Sequence, residues 1–142
     1  MQSPVKRIDR YDDLIKRLAS QIGVPYHWLW IKAQAQTESA GNPSAESNVG
    51  ARGLLQLMPA TDLEIDGDMD GFDPEGNLDN GILYLLMQYE KLSEIPLPFH
   101  RLRCALASYN GGRGYVNKAL AIGRVHLGQP SEYREWRAAG SP

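Results

Sequence analysis

Leu78, Ile82, Leu85, Leu86, Tyr89 and Leu92 recur at intervals of three and four, the spacing that lines one face of a helix. Such a stripe is stable only when buried against another apolar surface, so it commits the chain to packing on helices or on a sheet. A sheet lacks material, because no run alternates apolar and polar residues with the β-branched content of a strand. The fold class that follows is all-α.

The remaining apolar pattern agrees. Tyr11, Leu14, Ile15, Leu18 and Ile22 predict a first helix that Gly23 would cap. Pro25 suits a first helical turn, and 26–37 has no breaker, so a second helix should end near Glu38 and Ser39, closed by Gly41-Asn42-Pro43. Small polar residues from Ala40 to Arg52 read as an ordered loop, 53–58 as a short turn, and Pro59 to about Ile65 as another helix. Beyond Pro96 and Pro98, Leu102, Ala105, Leu106 and Tyr109 predict a helix ending at Asn110-Gly111-Gly112. Two more are expected, around Val116–Leu120 and from Pro130 to Trp136.

At 142 residues, 42% of them hydrophobic, the chain suits a single domain over 1–142 with one core. A formal net charge of −2 and the lack of any basic block argue against nucleic acid as a partner. The lone Cys104 excludes an internal disulfide and reads as a buried thiol. The first twenty residues are charged throughout, so neither a signal peptide nor a membrane-inserted segment is expected. Charge is nonetheless uneven: no lysine or arginine lies between Arg52 and Lys91, a stretch holding Asp62, Glu64, Asp66, Asp68, Asp70, Asp73, Glu75, Asp79 and Glu90.

Glu38 is the residue with the clearest chemical potential. At the C-terminal end of its helix, the negative end of the macrodipole and partial burial would both disfavour a carboxylate, the condition a general acid needs near neutral pH. Its surroundings add specificity. Glu38-Ser39, Ser47, Gly50-Ala51-Arg52-Gly53-Leu54-Leu55-Gln56-Leu57-Met58-Pro59, Phe72-Asp73-Pro74 with Asn77 and Gly81, and Ala107-Ser108-Tyr109-Asn110-Gly111-Gly112 together resemble the lytic transglycosylases, in that family's order, over roughly residues 10 to 120.

The resemblance implies a goose-lysozyme-like helical domain with a groove for peptidoglycan glycan strands. Glu38 would be the catalytic acid and Tyr109 the tyrosine that hydrogen-bonds it. Ser47, Gln56, Met58 and Asn110 would bind substrate. Glycosidases usually employ a second carboxylate, and the matched motifs contain none, since Glu46 and Asp62 match no catalytic position and are expected to face solvent. The family's mechanism removes the need: Glu38 protonates the glycosidic oxygen, then deprotonates the C6 hydroxyl of the same N-acetylmuramic acid, closing a 1,6-anhydro ring without water. The short chain without an export signal resembles a bacteriophage endolysin or virion lysin, acting as a monomer that passes from the host cytoplasm to the periplasm and cell wall, or carried on the virion.

Two other readings stand beside it. A hydrolytic lysozyme on the same fold would use Glu46, Asp62, Asp66 or another loop acid to position a water, and a non-catalytic peptidoglycan-binding or virion structural domain would have no need of Glu38.

Asp66-Gly67-Asp68-Met69-Asp70-Gly71 matches the first half of a calcium loop, but Asn77 stands where the bidentate glutamate belongs and Pro74 interrupts the second half. A solvated acidic loop is preferred to a weak calcium site at Asp66, Asp68 and Asp70, and no cofactor is expected. Trp28, Trp30 and Trp136 read as core packing, and His27, His100 and His126 lack ligand spacing. Gly50 and Gly53 read as points where the backbone makes room for a sugar.

Overall fold

The structure, a computed structural model, describes residues 6–67 and 70–111. The helices expected around 116–120 and 130–136 lie outside the described residues, as do Asp68, His126 and Trp136. Within them the architecture is helical. A 3-10 turn, Arg7–Tyr11, leads into α1 (Asp12–Ile22), α2 (Trp28–Ser39), α3 (Pro59–Asp66), α4 (Pro74–Lys91) and α5 (Pro98–Gly111). Strand pairing among the described residues is limited to isolated bridges, Glu46 with Arg52 and Arg52 with Leu57.

The helix ends follow local chemistry. Gly23 caps α1 in the left-handed region at φ 82°, its N–H donating to the Ala19 carbonyl. α2 begins later than Pro25 suggests, because His27 takes extended backbone and its Nδ1 accepts from the Leu29 N–H at 3.2 Å. Its far end is capped by Ala40 at φ 52°. Pro59 opens α3, where its missing N–H leaves no donor unmet, and Gly67 closes it at φ 74°.

The chain divides into two compact units, 1–87 and 88–142, with α4 running through the boundary. In the first, α1 and α2 pack on each other and on the 3-10 turn, burying Ile8, Ile15, Leu18, Ala19, Ile31 and Ala35. The expected stripe of α4 contributes Leu78, Ile82 and Leu85, each fully buried; Leu86 is only half-buried. Leu54, Leu55 and Leu57 from the loop are buried as deeply, and each such side chain contributes on the order of 2 kcal/mol. In the second unit Tyr89, Leu92, Leu102 and Ala105 are buried, and Arg101 donates its Nε–H to the Tyr89 carbonyl at 2.6 Å. No helix among the described residues is long and apolar enough to cross a membrane.

Candidate active site

α2 delivers Glu38 one residue before its C-terminal end. Ser39, behind it, closes the helix on itself: its Oγ donates to the Ala35 carbonyl at 2.9 Å and accepts from the Gly41 N–H at 3.2 Å. Gly41, at φ 76°, packs against the backbone of Arg7 and Ile8 so tightly that a Cβ would stand 2.5 Å from the Ile8 nitrogen. The helix end is thereby pinned to the 3-10 turn. Glu38 itself is half-buried and makes no hydrogen bond or ion pair among the described residues. Burial alone pushes its carboxyl above the ordinary carboxylate range, because desolvation penalises the charged form and nothing compensates it.

The loop that follows is a folded frame. Ser47 accepts at Oγ from the Ala51 N–H at 3.0 Å, and its own N–H donates to the Ala51 carbonyl at 2.9 Å. Arg52 and Leu57 exchange backbone hydrogen bonds at 2.9 and 3.0 Å. Gln56 sits in the left-handed region at φ 51°, an unusual place for a residue with a Cβ. Its amide Nε2 donates to the carbonyls of Ala45 and Gly53 at 3.1 and 2.9 Å, fastening both sides of the loop.

Beneath the frame, Asn77 is fully buried and uses its whole amide: Oδ1 accepts from the Leu55 N–H at 2.8 Å, and Nδ2 donates to the carbonyls of Arg52 and Gly71, both at 2.9 Å. Gly81 lies flat under Leu55, where a Cβ would come within 2.5 Å of the Leu55 Cδ1. Gly53, at φ 78°, has no space for a Cβ against Gly71 and Asn77, so its room is taken by the protein and not by a ligand. Gly50, at φ 93°, opens on empty space.

Glu46 is exposed, as expected. Asp62 is not, being only 2% exposed: Oδ1 accepts from Asn80 Nδ2 at 2.9 Å and Oδ2 faces Arg52 Nη2 at 3.4 Å. Sequence reasoning placed it in solvent because both partners are remote in the chain, Asn80 by more than four helical turns' worth of residues. Asp66 Oδ2 accepts from the same Asn80 amide at 3.0 Å, and Asp70 Oδ1 accepts from the Phe72 N–H at 3.2 Å. Among the described residues no group of three or more His, Cys, Asp or Glu is placed to hold a metal ion.

Met58 is 41% exposed at the start of α3 rather than packed in the core. Trp30 is likewise not a core residue: at 36% exposure it forms, with His27, Leu29 and Ala33, a shallow apolar hollow on α2. Trp28 is partly exposed, with Lys16 Nζ 4.7 Å from its ring. Tyr109 and Asn110 occupy the last turn of α5, in the second unit, half-buried and exposed respectively. Glu38 and the loop bearing Ser47, Gln56 and Met58 belong to the first unit, and Tyr109 and Asn110 to the second. Asn77 and Asn80 are the structural residues that the sequence reading left without roles, and only their apolar-helix setting hinted at burial.

A helical domain that hangs a half-buried glutamate on a helix end beside a rigid, glycine-bearing loop is of the lysozyme-like class. The family model of the transglycosylase SLT domain matches residues 13–125, and the chain belongs to that family. It is 38% identical over 118 residues to a membrane-bound lytic murein transglycosylase F of Desulfosudis oleivorans, spanning 83% of this chain and 25% of that protein. A membrane-bound lytic murein transglycosylase F 2 of Alkalilimnicola ehrlichii is 36% identical over 132 residues, spanning 92% and 28%. Among solved structures, the 70 kDa soluble lytic transglycosylase of Escherichia coli matches with a TM-score of 0.65 at 35% identity, over 78% of this chain and 18% of that one. An inactive mutant of the lytic transglycosylase Slt of Pseudomonas aeruginosa matches with a TM-score of 0.62 at 30% identity, over 74% and 17%. The chain therefore spans about a quarter of the length of the curated relatives it matches.

Proposed function

We propose that the chain cleaves the β-1,4 bond between N-acetylmuramic acid and N-acetylglucosamine in peptidoglycan, leaving 1,6-anhydro ends. The observation that carries this is Glu38: a carboxyl half-buried at a helix end, without a hydrogen-bond partner among the described residues, and held toward its protonated form by burial. Such a group is poised to give a proton to a glycosidic oxygen. As the C1–O bond breaks, the acetamido oxygen of the muramic acid shields the anomeric carbon, which makes a second protein carboxylate unnecessary. Glu38, now a carboxylate, takes the proton of the C6 hydroxyl while that oxygen bonds to C1, and the acid is restored. No water enters.

The loop supports this reading by its rigidity. Ser47 Oγ accepts from Ala51 and keeps its hydroxyl hydrogen for a sugar, and Met58 offers an exposed apolar edge. Both donors of Gln56 are occupied by loop carbonyls, so its part is to hold the loop's shape, and any contact with the glycan falls to its oxygen. Tyr109 is proposed to orient the Glu38 carboxyl and Asn110 to bind the glycan. The names of the relatives, and the glutamate-to-glutamine change in the inactive Pseudomonas protein, favour the same assignment. Of the second acids open to the hydrolytic alternative, Asp62 is disfavoured because it is buried between Asn80 and Arg52, while Asp66 accepts from Asn80 but is exposed.

Acid, base and nucleophile come from Glu38 and the substrate, so chelation with EDTA is expected to leave turnover unchanged, and a single chain suffices. Its place of action is the cell wall. The bacterial, membrane-bound relatives lend no support to a bacteriophage origin. Glu38→Gln should slow the clearing of purified cell walls by roughly a hundred- to ten-thousand-fold, the usual contribution of a positioned acid; parental clearing by the variant would refute the assignment.

A further inference from the structure

Gln34 lies one helical turn before Glu38 on α2, on the face that also buries Ile31 and Ala35. It is 7% exposed, and neither its Nε2 nor its Oε1 has a hydrogen-bond partner among the described residues. That is a costly arrangement. A buried amide without partners is destabilising, and a leucine or methionine of similar length would fill the same space without the penalty. Gln36, whose Oε1 is also buried without a partner, is two residues from Glu38 and so does not share its face. Side chains on a helix lean toward its N-terminus, which carries the Glu38 carboxyl back over the turn that Gln34 occupies.

Resting on the assignment of Glu38 above, we propose that Gln34 is a positioning residue for it: when Glu38 gives up its proton, the Gln34 Nε2–H donates to the new carboxylate and aims it at the C6 hydroxyl. The amide is idle while Glu38 is neutral and acquires its partner when the charge appears. Several of the charges near α2 are already engaged. On the elements packed against it, Asp9 and Asp12 pair with Lys32 at 2.7 and 2.9 Å, Lys16 lies over Trp28, and Arg17 reaches Glu75 at 2.7 Å. Arg7 and Arg10 of the 3-10 turn and Asp13 of α1 are in no ion pair among the described residues, yet no charged group shifts Glu38, whose carboxyl is raised by desolvation alone.

The test compares the parent, Gln34→Met and Glu38→Gln as full chains on soluble glycan oligomers. Gln34→Met should lower kcat about ten- to hundred-fold with KM little changed, the loss expected for one hydrogen bond to a charged group. Its alkaline pH limb should move up by about one unit, because the carboxylate has lost its donor. A change in KM alone would make Gln34 a substrate contact and overturn the proposal, as would a parental kcat and pH profile. Should the variant fail to fold, the parent decides: the side-chain amide 15N resonance of Gln34 must titrate with Glu38 and be flat in Glu38→Gln. A flat resonance in the parent overturns the proposal. Full turnover by Glu38→Gln removes the underlying assignment instead, and the two failures are distinct.

Discussion

Two of the buried amides in the first unit of this molecule, Asn77 and Gln34, are treated in opposite ways. Asn77, under the loop, has every donor and acceptor engaged, while Gln34, on α2, has none. The same contrast holds for the carboxylates: Asp62 is buried between Asn80 and Arg52, and Glu38 is half-buried with no partner among the described residues. A protein minimises unmet polar groups wherever stability alone is at stake. Gln34 and the Gln36 oxygen lie within one turn of Glu38, a few residues from a loop in which Gln56 and Asn77 meet their partners although Arg52 Nε does not, a placement that fits a trade of stability for the chemistry proposed for Glu38.

Substitutions in the two regions should therefore move stability in opposite directions. The largest effect belongs to Asn77→Ala, which strips partners from the Leu55 N–H and from the Arg52 and Gly71 carbonyls; a loss of about 3 kcal/mol or more is expected in urea unfolding. A loss below about 1 kcal/mol would mean that water replaces the amide and that the frame is looser than described. Gly81→Ala comes next, because its methyl must displace Leu55, and a cost of about 1–3 kcal/mol is expected by the same measurement.

On the other side of the comparison, Gln34→Met should gain about 1 kcal/mol by removing an unpartnered amide. Stabilisation by that variant together with loss of kcat would be the clearest sign of a trade between the two. Glu38→Gln should give a smaller gain with a defined pH dependence. The folded-state pKa of Glu38 is raised, so the parent is most stable, relative to the variant, below the unfolded carboxylate range and loses that stability as pH rises through the folded value. The melting temperature of the variant should thus exceed the parent's at pH 7 and converge on it near pH 4. The opposite trend would require a hidden cationic partner.

Much of this was legible in the sequence. α1, α3, α4 and α5 follow from apolar spacing and from their glycine and proline boundaries, since those signals are local. α2 announces itself less well: Trp28, Leu29, Trp30 and Ile31 are apolar in succession, so no face stands out, and Trp30 is exposed where packing was expected. Glu38 stood out as a candidate from the order of motifs and from its expected place at a helix end, where the structure puts it. Asp62 and Gln34 did not. Whether one acid among eight others is buried depends on Asn80, and whether a glutamine on a helix is orphaned depends on what surrounds it, and neither is written in the neighbouring residues. Gln56 was singled out for a groove, and its hydrogen bonds give it a second task in the loop that spacing could not reveal.

The central claim is that a single carboxyl, Glu38, completes the reaction with the substrate's own hydroxyl in place of water. Mass spectrometry of the muropeptides released from purified peptidoglycan tests it most directly, with Glu38→Gln as the control. The account predicts products lighter by one water than hydrolysis gives, and none from the variant. Fully hydrated reducing ends from the parent would contradict it and return attention to Glu46, the exposed acid of the loop, as the group that positions a water.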